Sequence, residues 1–159
     1  MKKVIAGLAA CVAGVLMAVA PLGTTAGLDR HSAVGEGSFQ FGKAGHGYFN
    51  FNLRGGAHPH GTLVFGAENH HGYPSVVIRL DVIERVRLAG NRVTMLAKGH
   101  LHDVPVKIRM TAIDGYGPNP DTFEIETRGH LNGDGDIDPN FHAAGSLTRG
   151  SITVGLGES

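Results

Sequence analysis

The stretch Ser75-Val76-Val77-Ile78-Arg79-Leu80-Asp81-Val82-Ile83-Glu84-Arg85-Val86-Arg87-Leu88 decides the fold class. Ile78, Leu80, Val82, Val86 and Leu88 share one side of an extended chain, while Arg79, Asp81, Arg85 and Arg87 share the other. A period of two with charge opposite apolar residues is the pattern of a half-buried strand. Glu84 falls on the apolar side. A local irregularity near Ile83 and Glu84 is expected to turn that carboxylate outward, the alternative being an inward acid with a partner. Gly90-Asn91 follows, two residues suited to a tight hairpin turn, and leads into a strand over Arg92–Ala97.

The same period extends in both directions. Phe39 and Phe41 alternate with Ser38 and Gln40, and Phe49, Phe51 and Leu53 with Tyr48, Asn50 and Asn52; Leu63 and Phe65 continue the series. Downstream, Val104, Val106, Ile108 and Met110 face away from Lys107 and Arg109. Phe123, Ile125 and Thr127 face away from Glu124, Glu126 and Arg128, and a last strand is expected near Ser151–Val154. Between them, Asp114–Asp121 holds two glycines and two prolines and reads as a loop at a sheet end. No amphipathic helical period occurs after the first two dozen residues. The fold class is therefore all-β: one domain over 35–159, with about eight antiparallel strands forming a barrel or sandwich.

The N-terminus has a different character. Met1-Lys2-Lys3 and the uncharged run Val4–Ala20 resemble a secretory signal peptide, with cleavage expected after Ala26, a flexible mature start over 27–34, and a secreted, extracellular or periplasmic address. A retained N-terminal anchor is the main alternative. Leu8-Ala9-Ala10-Cys11 also resembles a lipobox, which would tether the domain to a membrane through Cys11. Cys11 is the only cysteine, so the domain after a cleaved leader would be held by its apolar core and not by disulfides.

The chain carries 14 Lys and Arg against 14 Asp and Glu. Loss of Lys2 and Lys3 would leave it slightly acidic, and no run of basic residues could neutralise a row of phosphates, which argues against a nucleic-acid partner.

Gly35-Glu36-Gly37-Ser38-Phe39-Gln40-Phe41, Gly47-Tyr48-Phe49-Asn50-Phe51, Asp121-Thr122-Phe123-Glu124-Ile125 and Gly145-Ser146-Leu147-Thr148-Arg149-Gly150-Ser151-Ile152-Thr153-Val154 together resemble a family of small bacterial extracellular β domains. The resemblance covers most of the chain after the leader. It implies a β fold and an extracellular address, and it brings no activity and no catalytic residues.

Ten histidines include His58-Pro59-His60 and His100-Leu101-His102. Imidazole is the commonest metal ligand, and residues at i and i+2 on a strand point the same way, so either pair could hold zinc or copper. Such a site wants further ligands, and the plainer reading is polar turns and surface. His58 and His60 with Glu68 are similar to the cupin metal motif, although the spacing to Glu68 is too long.

His130-Leu131-Asn132-Gly133-Asp134-Gly135-Asp136-Ile137-Asp138 is similar to an EF-hand or dockerin calcium loop, with Asn132, Asp134, Asp136 and Asp138 as candidate oxygen donors. His130 stands where the first aspartate belongs and Phe141 where the closing glutamate belongs, so a solvated Asp-Gly loop is the competing reading.

No Gly-x-Ser-x-Gly elbow is present. Glu124 and Glu126 alternate on a single strand, whereas a glycosidase brings two acids from opposite sides of a cleft. The chain has no tryptophan, which disfavours stacking on sugar rings. The leading expectation is a non-enzymatic structural or interaction module with a cell-surface or extracellular partner. A calcium, zinc or copper protein comes second, and a small hydrolase or cupin-like enzyme third.

Overall fold

The computed structural model describes residues 31–43, 45–69, 76–129 and 139–155. The expected leader, its cleavage site and Cys11 lie outside these residues. The described chain forms eight strands: β1 (Ser32–Phe41), β2 (Gly45–Arg54), β3 (His60–Asn69), β4 (Val76–Ala89), β5 (Arg92–Leu101), β6 (Val104–Ile113), β7 (Thr122–Gly129) and β8 (His142–Val154). Each pairs antiparallel with the next, and β8 pairs with β1, closing an up-and-down barrel. Of the two architectures the sequence allows, the chain adopts the barrel, which leaves the sheet no free end strand.

An eight-stranded barrel is just wide enough for its interior to be filled by side chains or to hold one small ligand. Here aromatic rings fill it. Phe39, Phe49, Phe51, Phe65 and Phe123 are all buried. Phe123 lies at the centre, stacked on Phe49 at a centroid distance of 4.0 Å and within 6.4 Å of Phe39, Phe51 and Phe65. Met95, Ile108, Met110 and Ile125 fill the rest of the core across β5–β7. At one end Phe41 meets Phe141 edge-on at 5.9 Å. Burying each such side chain stabilises the fold by about 1.5–3 kcal/mol relative to leaving it in water.

β4 behaves as its sequence implies at one position and departs from it at another. Its register to β5 shifts between Leu80 and Val82 and again between Ile83 and Arg85. These two bulges turn Asp81 and Glu84 outward, so the carboxylate stays in solvent as expected. They also reverse the expected orientation of Val82, which is 58% exposed, while Ile83 packs against the core in its place. A bulge adds one residue and so changes the phase of every residue before the next bulge.

Two further expectations change. β1 begins at Ser32, inside the stretch read as a flexible start, because Ala33 is paired on both sides, to Leu53 and to Val154. β8 is much longer than Ser151–Val154. Its alternation is hidden by a register shift near Thr148, whose hydroxyl donates to the Ser38 carbonyl at 3.0 Å, and by Gly150 at φ +98°. A methyl group on Gly150 would run into the Glu36 carbonyl, so the closing strand needs glycine there.

The first part of β8 pairs with β7, as far as Thr122 with Ser146. Beyond that point the β6–β7 loop takes over. The Asp121 carboxylate accepts from the Gly115 N–H (2.7 Å) and the Ile152 N–H (2.6 Å), and Asp114 accepts from the Val154 N–H at 3.3 Å. Two side chains thus supply acceptors that a strand backbone would otherwise supply. The loop is also tied to the Gly90-Asn91 turn, where Asn91 Nδ2 donates to the Asp114 carbonyl at 2.7 Å.

Candidate functional site

Successive connections of an up-and-down barrel alternate between its ends. The β2–β3 connection, carrying His58 and His60, therefore lies at the end opposite the β5–β6 connection, carrying His100 and His102. The two histidine pairs cannot share an ion. Within the first pair, His60 Nδ1 bonds the His58 backbone carbonyl at 3.0 Å. The second pair does not share a strand face. β5 ends at Leu101, and His102 occupies the turn at φ +52°, a conformation histidine tolerates at turns. Its N–H donates to the Val77 carbonyl, while His100 Nδ1 contacts Asp81 Oδ2 at 3.0 Å.

The cupin-like arrangement is overturned. Glu68 lies near the far end of β3 from His60, roughly 26 Å along an extended strand, and His58, His60 and Glu68 are all exposed. Among the described residues no three His, Cys, Asp or Glu side chains are grouped to hold a metal ion. Asn132, Asp134, Asp136 and Asp138 lie outside the described residues.

Glu124 and Glu126 are ordinary surface acids. His142 Nε2 lies 3.1 Å from Glu124 Oε1, and Arg128 reaches Glu126 Oε1 through Nε (2.8 Å) and Nη2 (2.7 Å). No protein-family model, no curated protein and no solved structure matches the chain.

Registers across β4–β7 assemble outward-facing residues into rows. Val82, Lys98, Lys107 and Arg128 form one row, and Arg85, Leu96, Arg109 and Glu126 the next. Arg87, Thr94, Thr111 and Glu124 follow. Eight of the chain's 14 Lys and Arg lie on this outer face: Arg79, Arg85, Arg87, Arg92, Lys98, Lys107, Arg109 and Arg128, all exposed. Only four acids share it, Asp81, Glu84, Glu124 and Glu126. The row Lys98, Lys107, Arg128 lines an open groove of about 760 Å³ together with Asp81, Val106 and Asn140.

The sequence is electrically balanced, so its composition conceals this segregation. The alternating cations of β4 and β6 were visible. That they lie side by side depends on strand register, which the sequence does not display.

Among the described residues Lys98 and Arg128 are the only two of the eight cations in an ion pair. Lys98 Nζ lies 2.9 Å from Glu84 Oε1, and this hydrogen bond, with the lysine charge behind it, holds the Glu84 carboxyl below its ordinary 4.5. A depressed carboxylate contributes stability above its unfolded value and loses it as pH falls through the folded one. Because both side chains are exposed to solvent, the stability effect is small. Carbon-detected NMR should place the Glu84 midpoint below its ordinary value, and Lys98→Gln should raise it, with the nearby Lys107 charge still acting on it; a midpoint that ignores the substitution would show that the contact does not persist in solution.

Proposed function

We propose that the chain is a secreted, non-enzymatic β-barrel module that engages its partner through its outer surface. The observation that carries this reading is the filled interior. Phe123 and the four phenylalanines around it occupy the volume in which a barrel of this size would otherwise hold a small ligand. A carrier or an enzyme with an internal site needs that volume.

The exterior supports the same reading. In a barrel that spans a membrane the outer band is apolar, whereas the outer face of β4–β7 is charged. Among the described residues the histidines and acids of that region meet in exposed pairs, Asp81 with His100 and Glu124 with His142.

Two measurements test the proposal. Purified full-length chain is expected to turn over no ester, glycoside or phosphoester in a broad hydrolase screen; turnover abolished by one substitution would replace the module by an enzyme. Calorimetric titration of untagged protein with zinc, copper and calcium is expected to show no binding tighter than about millimolar, the range of weak extracellular calcium modules. Tighter binding would make metal binding the function.

A further inference from the structure

We infer that the outer face of β4–β7 is a binding surface for a linear anionic polysaccharide, with Lys107 and Arg109 at its centre. The inference rests on the module reading and names the chemistry of the partner.

Charge complementarity is the first argument. Lys98, Lys107 and Arg128 are direct cross-strand neighbours, and Arg109 lies two residues along β6 from Lys107. Strands are about 4.8 Å apart, so three like charges lie within roughly 10 Å. Like charges directly opposite on a sheet are destabilising. Glu84 and Glu126 pair with the two outer members, while Lys107, between them, is in no ion pair among the described residues and meets Glu84 only through the longer-range pull of charge. Arg79, Arg85, Arg87 and Arg92 extend the unpaired charge along β4 and into β5. A ligand with regularly spaced anionic groups would remove this repulsion over several rows at once, which a single small anion could not do.

The face also lacks aromatic groups. Its outward positions include no Phe, Tyr or Trp; the exposed Tyr48 is on β2, and Tyr116 is in the β6–β7 loop. Single-stranded nucleic acids are held by bases stacked on aromatic side chains as well as by charge. A surface that offers cations without stacking platforms suits carboxylate or sulfate groups on a sugar backbone. The lack of tryptophan counts against recognition of neutral sugar rings, and recognition here is by charge.

The test is fluorescence anisotropy of the full-length chain with a labelled heparin octasaccharide as the sulfated probe. Neutral dextran and an oligo-dT of equal charge are the comparison ligands. Binding to the heparin probe at 50 mM salt is expected, with dextran inert and oligo-dT at least tenfold weaker. If about four charges are neutralised, counterion release should weaken binding about 50- to 150-fold between 50 and 200 mM salt.

Lys107→Gln with Arg109→Gln should lower affinity at least tenfold. Lys43→Gln with Arg149→Gln, off this face, should leave it unchanged. All four positions are exposed, and an unaltered melting temperature confirms that each variant is folded. Absence of heparin binding, equal affinity for oligo-dT, or indifference to the Lys107 and Arg109 changes would each overturn the inference. None of these touches the module reading, which fails instead by single-residue-dependent turnover in the hydrolase screen or by tight metal binding.

Discussion

Replacing Phe123 by alanine is expected to destabilise the barrel by about 3–5 kcal/mol, the range for large aromatic truncations in a packed core. The ring is 1% exposed and touches rings from three other strands: Phe39 on β1, Phe49 and Phe51 on β2, and Phe65 on β3. It comes from β7, so it ties one wall of the barrel to the opposite one. Its removal loses the transfer free energy of the ring and leaves a cavity between elements that closure of the sheet prevents from collapsing. In a domain of this size the loss lowers the melting temperature by roughly 10–20 °C.

Phe123→Leu should cost less, since it keeps most of the apolar volume. Phe41→Ala should also cost less, since Phe41 is only partly buried. Chemical denaturation of the three variants checks the order. A Phe123→Ala midpoint within error of the parent would mean that the rings do not form one packed interior.

The features of this fold that were legible in the sequence are those encoded by neighbours along the chain. The alternation in β2, β6 and β7 needs only a period of two, and Gly90-Asn91 needs only two adjacent residues with suitable backbone freedom. Glu84 was legible for a different reason. A charge on an apolar side is a local contradiction, and a bulge is the cheapest way to resolve it.

What escaped was encoded between strands. Val82 looks inward by parity until a bulge at Asp81 changes the phase. His102 looks like a strand partner of His100 until the chain turns after Leu101. β8 conceals its length because Gly145, Thr148 and Gly150 break the alternation where the strand passes from one neighbour to the other. The cationic face is the largest case. Lys98, Lys107 and Arg128 are far apart in sequence and meet only through two separate registers, so neither net charge nor a search for basic runs could find them.

Asp121 gives the second large effect, and it acts through polar groups. Asp121→Ala is expected to cost about 2–4 kcal/mol. The carboxylate accepts two backbone hydrogen bonds, from Gly115 at 2.7 Å and Ile152 at 2.6 Å, and the Asp121 carbonyl accepts a third from the Leu147 N–H at 2.8 Å. Hydrogen bonds to a charged acceptor contribute about 1.5–3 kcal/mol each, and donors left without a partner add a desolvation cost. The site is part-buried, so water replaces some of what is lost, which keeps the total below the sum of two full bonds.

The Leu147 bond uses the main chain and survives the substitution, so the loss should be confined to the second half of β8. Asp121→Asn retains one good acceptor oxygen and should fall between the parent and the alanine variant. Asp114→Ala removes only the longer 3.3 Å contact to Val154 and should cost less than either. Hydrogen exchange separates local from global effects. In Asp121→Ala the Ile152 amide should exchange much faster than in the parent, while the Val93 and Met110 amides, in the β5–β6 wall, speed up only in proportion to the overall loss of stability they share. Should Ile152 exchange no faster than Val93 in that variant, Asp121 would be a surface acid and the second half of β8 would be held by β1 alone.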